Sequence, residues 1–273
     1  FCRLLAAEGL LTLAWPVAHG GGGGSLWDQT VVREEMWAHH EPRGAQYMGL
    51  NWVGPALMAY GTPEQKAQHL PPIAAGEVIW CQGFSEPEAG SDLANLGTRA
   101  VRDGDEWVIN GQKIWTSLAQ HSAFGILITR TEPDAPKHAG ITYFVCPMDA
   151  PGVEIRPIIE MTGAHTFNEV FLTDVRLPAD HVIGEVNKGW GLAKVTLGNE
   201  RVSLSSGGAL WGLGPTGGDL PEASLVGAED PDFAGGSYVV VQKYLHDLAA
   251  WGRLTVEQQE AVIGRRKIDN LEL

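Results

Sequence analysis

Two short runs hold most of the side chains able to do chemistry. Residues 80–92 read W-C-Q-G-F-S-E-P-E-A-G-S-D. They gather a hydroxyl at Ser85, a proline at position 87 that stiffens a turn, and a Gly90-Ser91 pair where backbone can approach a ligand with no Cβ in the way. Trp115-Thr116-Ser117 then places a broad indole beside two more hydroxyls. Such groups suit a flat ring that is apolar on its faces and has hydrogen-bonding atoms along its edges, as an isoalloxazine does. Taken alone, Trp115 reads as a core aromatic and S-E-P-E-A-G-S-D as a helix-capping turn. Together the two segments favour a cofactor shelf.

A carboxylate completes the set. Ala193, Leu197, Glu200 and Leu204 are separated by four, three and four residues, so they share one stripe of a helix that begins near Lys188. Glu200 on that apolar face can serve as a general base, or it can pair with a cation such as Arg201, and the spacing leaves both open. Arg201 itself can hold a carboxylate or phosphate, or form a structural ion pair. His165, in T-G-A-H-T, reads as a solvated loop histidine.

The elements that must position these groups fall into blocks. Residues 1–75 read as helices broken by loops. Gly20 to Gly24 reads as a flexible connection, since no strand precedes it to make a phosphate cradle. Thr62-Pro63-Glu64-Gln65 supplies an N-cap, a proline at the first helical position and a glutamine at N3, and the helix is expected to end before Pro71-Pro72. From Val78 to about Val182 the period becomes that of strands, with Asp103-Gly104 and Asn110-Gly111 as two hairpin signals and β-branched runs at 126–128, 141–145 and 170–172. After Gly207-Gly208 comes a Gly- and Pro-rich loop, then a strand at 235–242, and a short helix capped at Thr255 to Gln258 and stopped at Gly264.

Composition narrows the class. The chain has 273 residues, 44% hydrophobic and 19% charged, with ample length to bury a core. A net charge of −14 argues against nucleic acid and against anionic membrane surfaces, which need clustered Lys and Arg. Cys2, Cys81 and Cys146 are odd in number and widely spaced, which indicates reduced thiols rather than a disulfide framework or metal site, and fits a cytoplasmic location. The opening F-C-R-L-L-A-A-E-G-L-L is too short and interrupted for a membrane span and lacks a signal-peptide pattern. It reads as an amphipathic helix already in progress, with the true N-terminus upstream.

Residues 80–92, the K-I-W-T-S run, and L-T-D-V-R-L-P with the following N-K-G-W-G-L resemble acyl-CoA dehydrogenases in order and spacing, over roughly residues 1–218. The resemblance implies FAD as cofactor, held by Gln82, Phe84, Ser85, Gly90, Ser91, Trp115, Thr116 and Ser117. The position of Ser85 would bond the ring edge, that of Ser91 would lie near the pyrophosphate or acyl-CoA, and Trp115–Ser117 would set the indole near the ring with a hydroxyl toward N5. Ser91 and Arg201 are the implied substrate contacts, and no metal is implied. Phe84 stands where the family has a small aliphatic residue, Glu88 where glycine is common, and Ser117 where threonine is frequent. No needed hydroxyl is lost by these changes.

The implied reaction is α,β-dehydrogenation of an acyl-CoA thioester, which needs a carboxylate base in a dry site. In one branch of the family that base occupies the position of Glu200. In the other it comes from a later loop of the C-terminal helical domain. Implied partners are the acyl-CoA substrate, an electron-acceptor flavoprotein and further copies or a second chain in a homo- or hetero-oligomer. A non-catalytic flavin or acyl-CoA binding subunit is the alternative.

Residues 221–273, with F-A-G-G-S-Y-V-V-V-Q-K-Y-L-H-D-L-A-A-W and E-Q-Q-E-A-V-I-G-R-R-K, resemble an internal slice of dye-decolourising haem peroxidases. That family's G-x-x-D-G motif is absent, and its haem-ligating histidine and distal arginine would lie beyond Leu273, so no haem site is expected and His246 reads as structural. The chain therefore reads as an incomplete dehydrogenase joined near residues 214–221 to a piece of an unrelated enzyme, with a haem peroxidase fragment as the remaining alternative. The expected fold is α+β: a partial helical domain (1–76), a central antiparallel β barrel or sandwich (77–184), the first helix of a second helical domain (185–216), and a peroxidase-like strand and helix (217–273).

Overall fold

The computed structural model describes residues 1–25, 28–29, 31–32, 45–161 and 163–205. The expected strand at 235–242, the capped helix at Thr255, His246 and all of 217–273 lie outside the described residues, as does the side chain of Arg201. Two compact units divide the chain, Phe1–Gly24 with Arg43–Ser203, and Ser25–Pro42 with Leu204–Leu273. In the second, Ser25 donates from its N–H and hydroxyl to Asp28 Oδ2 at 2.7 and 2.8 Å, a local cap. The sheet and the helices packed on it belong to the first, apart from Leu204 and Ser205 at the end of the final helix.

That unit begins with α1 (Cys2–Ala7) and continues through α2 (Gly54–Tyr60) and α3 (Pro63–Ala74). The start of α3 follows from its first four residues. Gln65 N–H donates to Thr62 Oγ1 at 3.2 Å and Thr62 N–H donates to Gln65 Oε1 at 3.0 Å, a reciprocal cap. The same Gln65 donates from Nε2 to the carbonyls of Asp180 and Val182 at 2.6 and 2.8 Å, so the cap also anchors the helix to the β domain.

The expected end of α3 is corrected. The helix runs through Pro71-Pro72 to Ala74. Each proline lacks an N–H, but their carbonyls still accept from Ala75 and Glu77 at 2.9 and 3.0 Å, and buried Leu70 and Ile73 pin the last turn to the core. Gly20 to Gly24 is likewise not a loose connection. Its amides donate in succession to carbonyls of Val17, Pro16, Thr12, Trp15 and Leu13, and a side chain at Gly21 would collide with the Trp15 backbone.

Eight strands form one sheet: β1 (Trp80–Gly83), β2 (Arg99–Asp103), β3 (Glu106–Lys113), β4 (Phe124–Arg130), β5 (Ile141–Pro147), β6 (Val153–Pro157), β7 (Asn168–Pro178) and β8 (Val182–Ile183). Their order is β6-β7-β3-β2-β4-β5-β8, with β1 also paired to β4. The β domain is thus present, but it is neither a closed barrel nor purely antiparallel. Strands β1 and β2 run parallel to β4. Strand β1 enters from the helical segment rather than from a hairpin, so no tight turn forces it antiparallel.

Of the two hairpin signals, one makes a hairpin. Asp103 pairs with Glu106 across a Gly104-Asp105 turn. Asn110-Gly111 lies inside β3, opposite a bulge in β7 that adds one residue around Asp174, whose φ is +49°. There Asn110 Nδ2 donates to Asp174 Oδ1 at 3.0 Å and Asp174 N–H donates to Asn110 Oδ1 at 2.9 Å. Gly111 is needed because a Cβ would sit 2.7 Å from Thr98 Cα.

Alternation along the central strands builds two cores. Ile126, Ile128, Tyr143 and Val145 face the helices with Leu57, Leu70, Ile73 and Trp80. Leu127, Phe144 and Cys146 face the other way, against Trp107, Ile109, Val170 and Val175. Both faces of β4 and β5 are therefore covered, which is why those strands read as unbroken apolar runs. Helix α4 (Gly189–Ser205) packs Leu192 and Ala193 into the first core. Among the described residues no helix is long and apolar enough to cross a membrane.

Candidate functional site

The two motif segments are held side by side by a buried ion pair that the sequence reading did not single out. Lys113 Nζ lies 2.7 Å from Glu86 Oε1, with the two side chains 0% and 8% exposed. The ammonium also donates to the carbonyls of Phe84 and Ile128 at 3.2 and 2.7 Å. Glu86 in turn accepts from the amides of Gly97 at 2.6 Å and Thr98 at 3.0 Å. Burial favours neutral forms and depresses the lysine. For Glu86, burial pulls upward, but the Lys113 charge and the donated hydrogen bonds win and hold its carboxyl below the ordinary 4.5. The signal was available, because counting by twos from buried Trp107 and Ile109 puts Lys113 on the inward face of β3.

Within 80–92, Glu86 and Ala89 exchange backbone hydrogen bonds at 2.9 and 3.0 Å, closing a turn with Pro87 at its second position. Ser85 is half-buried and its carbonyl accepts from Ile114 N–H at 2.9 Å, a direct stitch to the second segment. Gly90 and Ser91 are exposed, and a Cβ at Gly90 would meet nothing within 4 Å. The Phe84 ring is 3% exposed and meets Tyr143 edge-on at 5.8 Å, so it faces the core and leaves only its backbone to a ligand.

The second segment is strained and open. Trp115 and Leu118 have φ of +59° and +58°, a conformation that side chains disfavour and that tends to gather at working sites. The Trp115 indole is 56% exposed, touching Phe167 edge-on at 6.0 Å. Buried Asn168 holds the run in place, exchanging backbone hydrogen bonds with Thr116 at 3.0 and 3.1 Å and donating from Nδ2 to the Thr116 carbonyl at 3.0 Å. The Thr116 hydroxyl is buried with no partner. Half-buried Ser117 lies beside it.

Helix α4 brings Glu200 to β1. Gln82 Nε2 donates to Glu200 Oε2 at 3.0 Å, joining residues 118 apart in sequence. Tyr47, half-buried at the start of the helical run before α2, has its phenol pushed upward by burial and then by the Glu200 charge. The Tyr47 hydroxyl and Gln82 Oε1 are both buried with no partner. No sequence pattern pointed to Tyr47 or to the Gln82 contact, because both are tertiary.

The other candidates are placed apart or quiet. His165 is exposed, and its carbonyl accepts from Gln120 Nε2 at 2.9 Å. The free thiols of Cys81 and Cys146 are buried and pushed up to about 12, mainly by that burial, so neither is a nucleophile at neutral pH.

An open mixed sheet packed under helices, with the two motif segments stitched together, agrees with the acyl-CoA dehydrogenase fold. The N-terminal domain of that family matches residues 1–77 and the middle domain residues 81–175, and across this part the chain belongs to the family. It is 48% identical over 206 residues to acyl-CoA dehydrogenase FadE34 of Mycobacterium tuberculosis, covering 76% of this chain and 29% of FadE34. Among solved structures, the Tcur3481-Tcur3483 steroid ACAD is 42% identical with a TM-score of 0.69, over 75% of this chain and 52% of that one. The ChsE4-ChsE5 complex of Mycobacterium tuberculosis is 43% identical with a TM-score of 0.68, over 76% and 53%. The chain thus spans under a third of FadE34 and about half of the two solved chains. Residues 215–273 match the C-terminal domain of Dyp-type peroxidases.

Proposed function

We propose that residues 1–205 supply the flavin shelf and catalytic base of an FAD-dependent acyl-CoA dehydrogenase, which introduces a double bond between the α and β carbons of an acyl-CoA thioester. The observation that carries this is the Glu200 carboxylate held 3.0 Å from Gln82, on the same strand and turn that bear Ser85 and Ser91.

The residues fit a flavin. An indole 56% exposed on a strained backbone offers a flat apolar surface. Beside it the buried Thr116 hydroxyl lacks a partner, and space is open at Gly90. In this reading Gln82, Ser85, Gly90, Ser91, Trp115, Thr116, Ser117 and the backbone of Phe84 hold the FAD that the family uses. Bound there, the flavin supplies a two-electron acceptor for the β-hydride. Glu200 takes the α-proton: the Cα–H bond breaks, its electron pair becomes the new double bond, and the proton ends on the carboxylate. The core packed around α4 excludes water from that transfer. Ser91 and Arg201 contact the acyl-CoA.

Around this centre the chain divides into 1–76, 77–184, 185–216 and a peroxidase-like 217–273. The working protein is cytoplasmic, assembles with copies of itself or a second chain, and passes electrons to another flavoprotein. The name of the ChsE4-ChsE5 complex supports a two-chain assembly and that of the steroid ACAD supports bulky acyl groups. Replacing Glu200 with glutamine in the complete flavin-loaded protein should abolish flavin bleaching by acyl-CoA. Bleaching at the normal rate would assign this chain to a non-catalytic binding subunit instead.

A further inference from the structure

Gln82 is a polar residue in an apolar row. Trp80 and Phe84, two positions either side of it on the same face, are 0% and 3% exposed and belong to the helix-facing core. A carboxamide there is costly unless its hydrogen bonds are made. Its Nε2 donates to Glu200 Oε2 at 3.0 Å, while its Oε1 is buried with no partner. Gln82 is itself half-buried, and its amide donates to the carboxylate.

We propose that Gln82 is a positioning residue for the base: its carboxamide holds the Glu200 carboxylate, through one oxygen, in the orientation from which it takes the α-proton. The inference rests on the reading of Glu200 as the base. A hydrogen bond to a charged acceptor is about twice as strong as a neutral one. Fixing one oxygen also sets the plane of the carboxyl group and hence the approach of the other oxygen to a thioester. Tyr47 lies near the pair, and burial and then the Glu200 charge raise its phenol.

The test uses the complete protein loaded with FAD and a reducing acyl-CoA, with anaerobic flavin bleaching followed against substrate concentration and the rate taken per bound flavin. Gln82→Leu should slow bleaching by about tenfold to a hundredfold. Substrate dissociation should stay within about twofold, so the loss falls on the bleaching step itself. Gln82→Glu keeps the shape but puts a carboxyl where the amide donates, so it should slow bleaching per bound flavin at least as far. This second variant decides the matter if Gln82→Leu does not fold. A Gln82→Leu protein that bleaches at the normal rate per bound flavin, alongside an inactive Glu200→Gln, overturns the positioning role and leaves the base in place. Bleaching that survives in Glu200→Gln removes both readings together.

Discussion

Lys113→Met is the most informative perturbation of the scaffold. Methionine fills the same channel, but it leaves Glu86 buried without its counter-charge and strips a donor from the carbonyls of Phe84 and Ile128. Removing one member of a buried pair costs about 3–5 kcal/mol. The amides of Gly97 and Thr98 still bond the Glu86 carboxylate, so the lower half of that range is expected. For a domain of this size each kcal/mol lowers Tm by about 2–4 °C, giving a drop of about 6–16 °C by circular dichroism. Adding Glu86→Gln should recover part of the loss, since it removes the stranded charge.

The pH dependence carries a sign. The folded Glu86 carboxyl is held below 4.5, so its contribution is present above that value and is lost as pH falls through the folded value. The deficit of Lys113→Met relative to wild type should therefore be full at neutral pH and shrink below about pH 4.5. A Tm within about 2 °C of wild type, or a double variant as damaged as the sum of the single ones, would refute this account of the pair.

Three further outcomes follow from local geometry. Thr62→Ala removes the N-cap of α3 and should cost about 1 kcal/mol in denaturant unfolding, with the helix otherwise retained. Gly111→Ala must push Thr98 aside and should cost about 1–3 kcal/mol, whereas alanine at Gly104, where a Cβ meets nothing but φ is +60°, should cost less in the same assay. Trp115→Ala exposes no core, so thermal stability of the flavin-free protein should change little while flavin content after purification falls severalfold. Unchanged flavin content would remove the indole from the shelf.

Much of the scaffold was readable because its signals are local. The reciprocal cap at Thr62 and Gln65, the turn at Pro87, the hairpin at Gly104 and the strand periods from 126 to 145 each depend on a few adjacent residues. The misreadings share a different cause. Asn110-Gly111 has hairpin chemistry but spends it on a bulge 64 residues away at Asp174. Pro71-Pro72 should stop a helix, and tertiary packing of Leu70 and Ile73 carries it onward. The parallel pairing of β1 with β4, the Lys113–Glu86 pair and the Gln82–Glu200 contact are all set by residues brought together only in the fold. The groups of the two motif segments were legible by type; their mutual stitching was not.

The central claim is that the reacting carbons lie between the Glu200 carboxylate and a flavin seated on Trp115 to Ser117. It is tested most directly by a crystal structure of the complete protein with FAD and an acyl-CoA analogue. The account predicts the isoalloxazine against the Trp115 indole and a Glu200 carboxylate oxygen about 3–3.5 Å from the α-carbon. A flavin seated elsewhere, or another carboxylate at the α-carbon with Glu200 turned away, would contradict it.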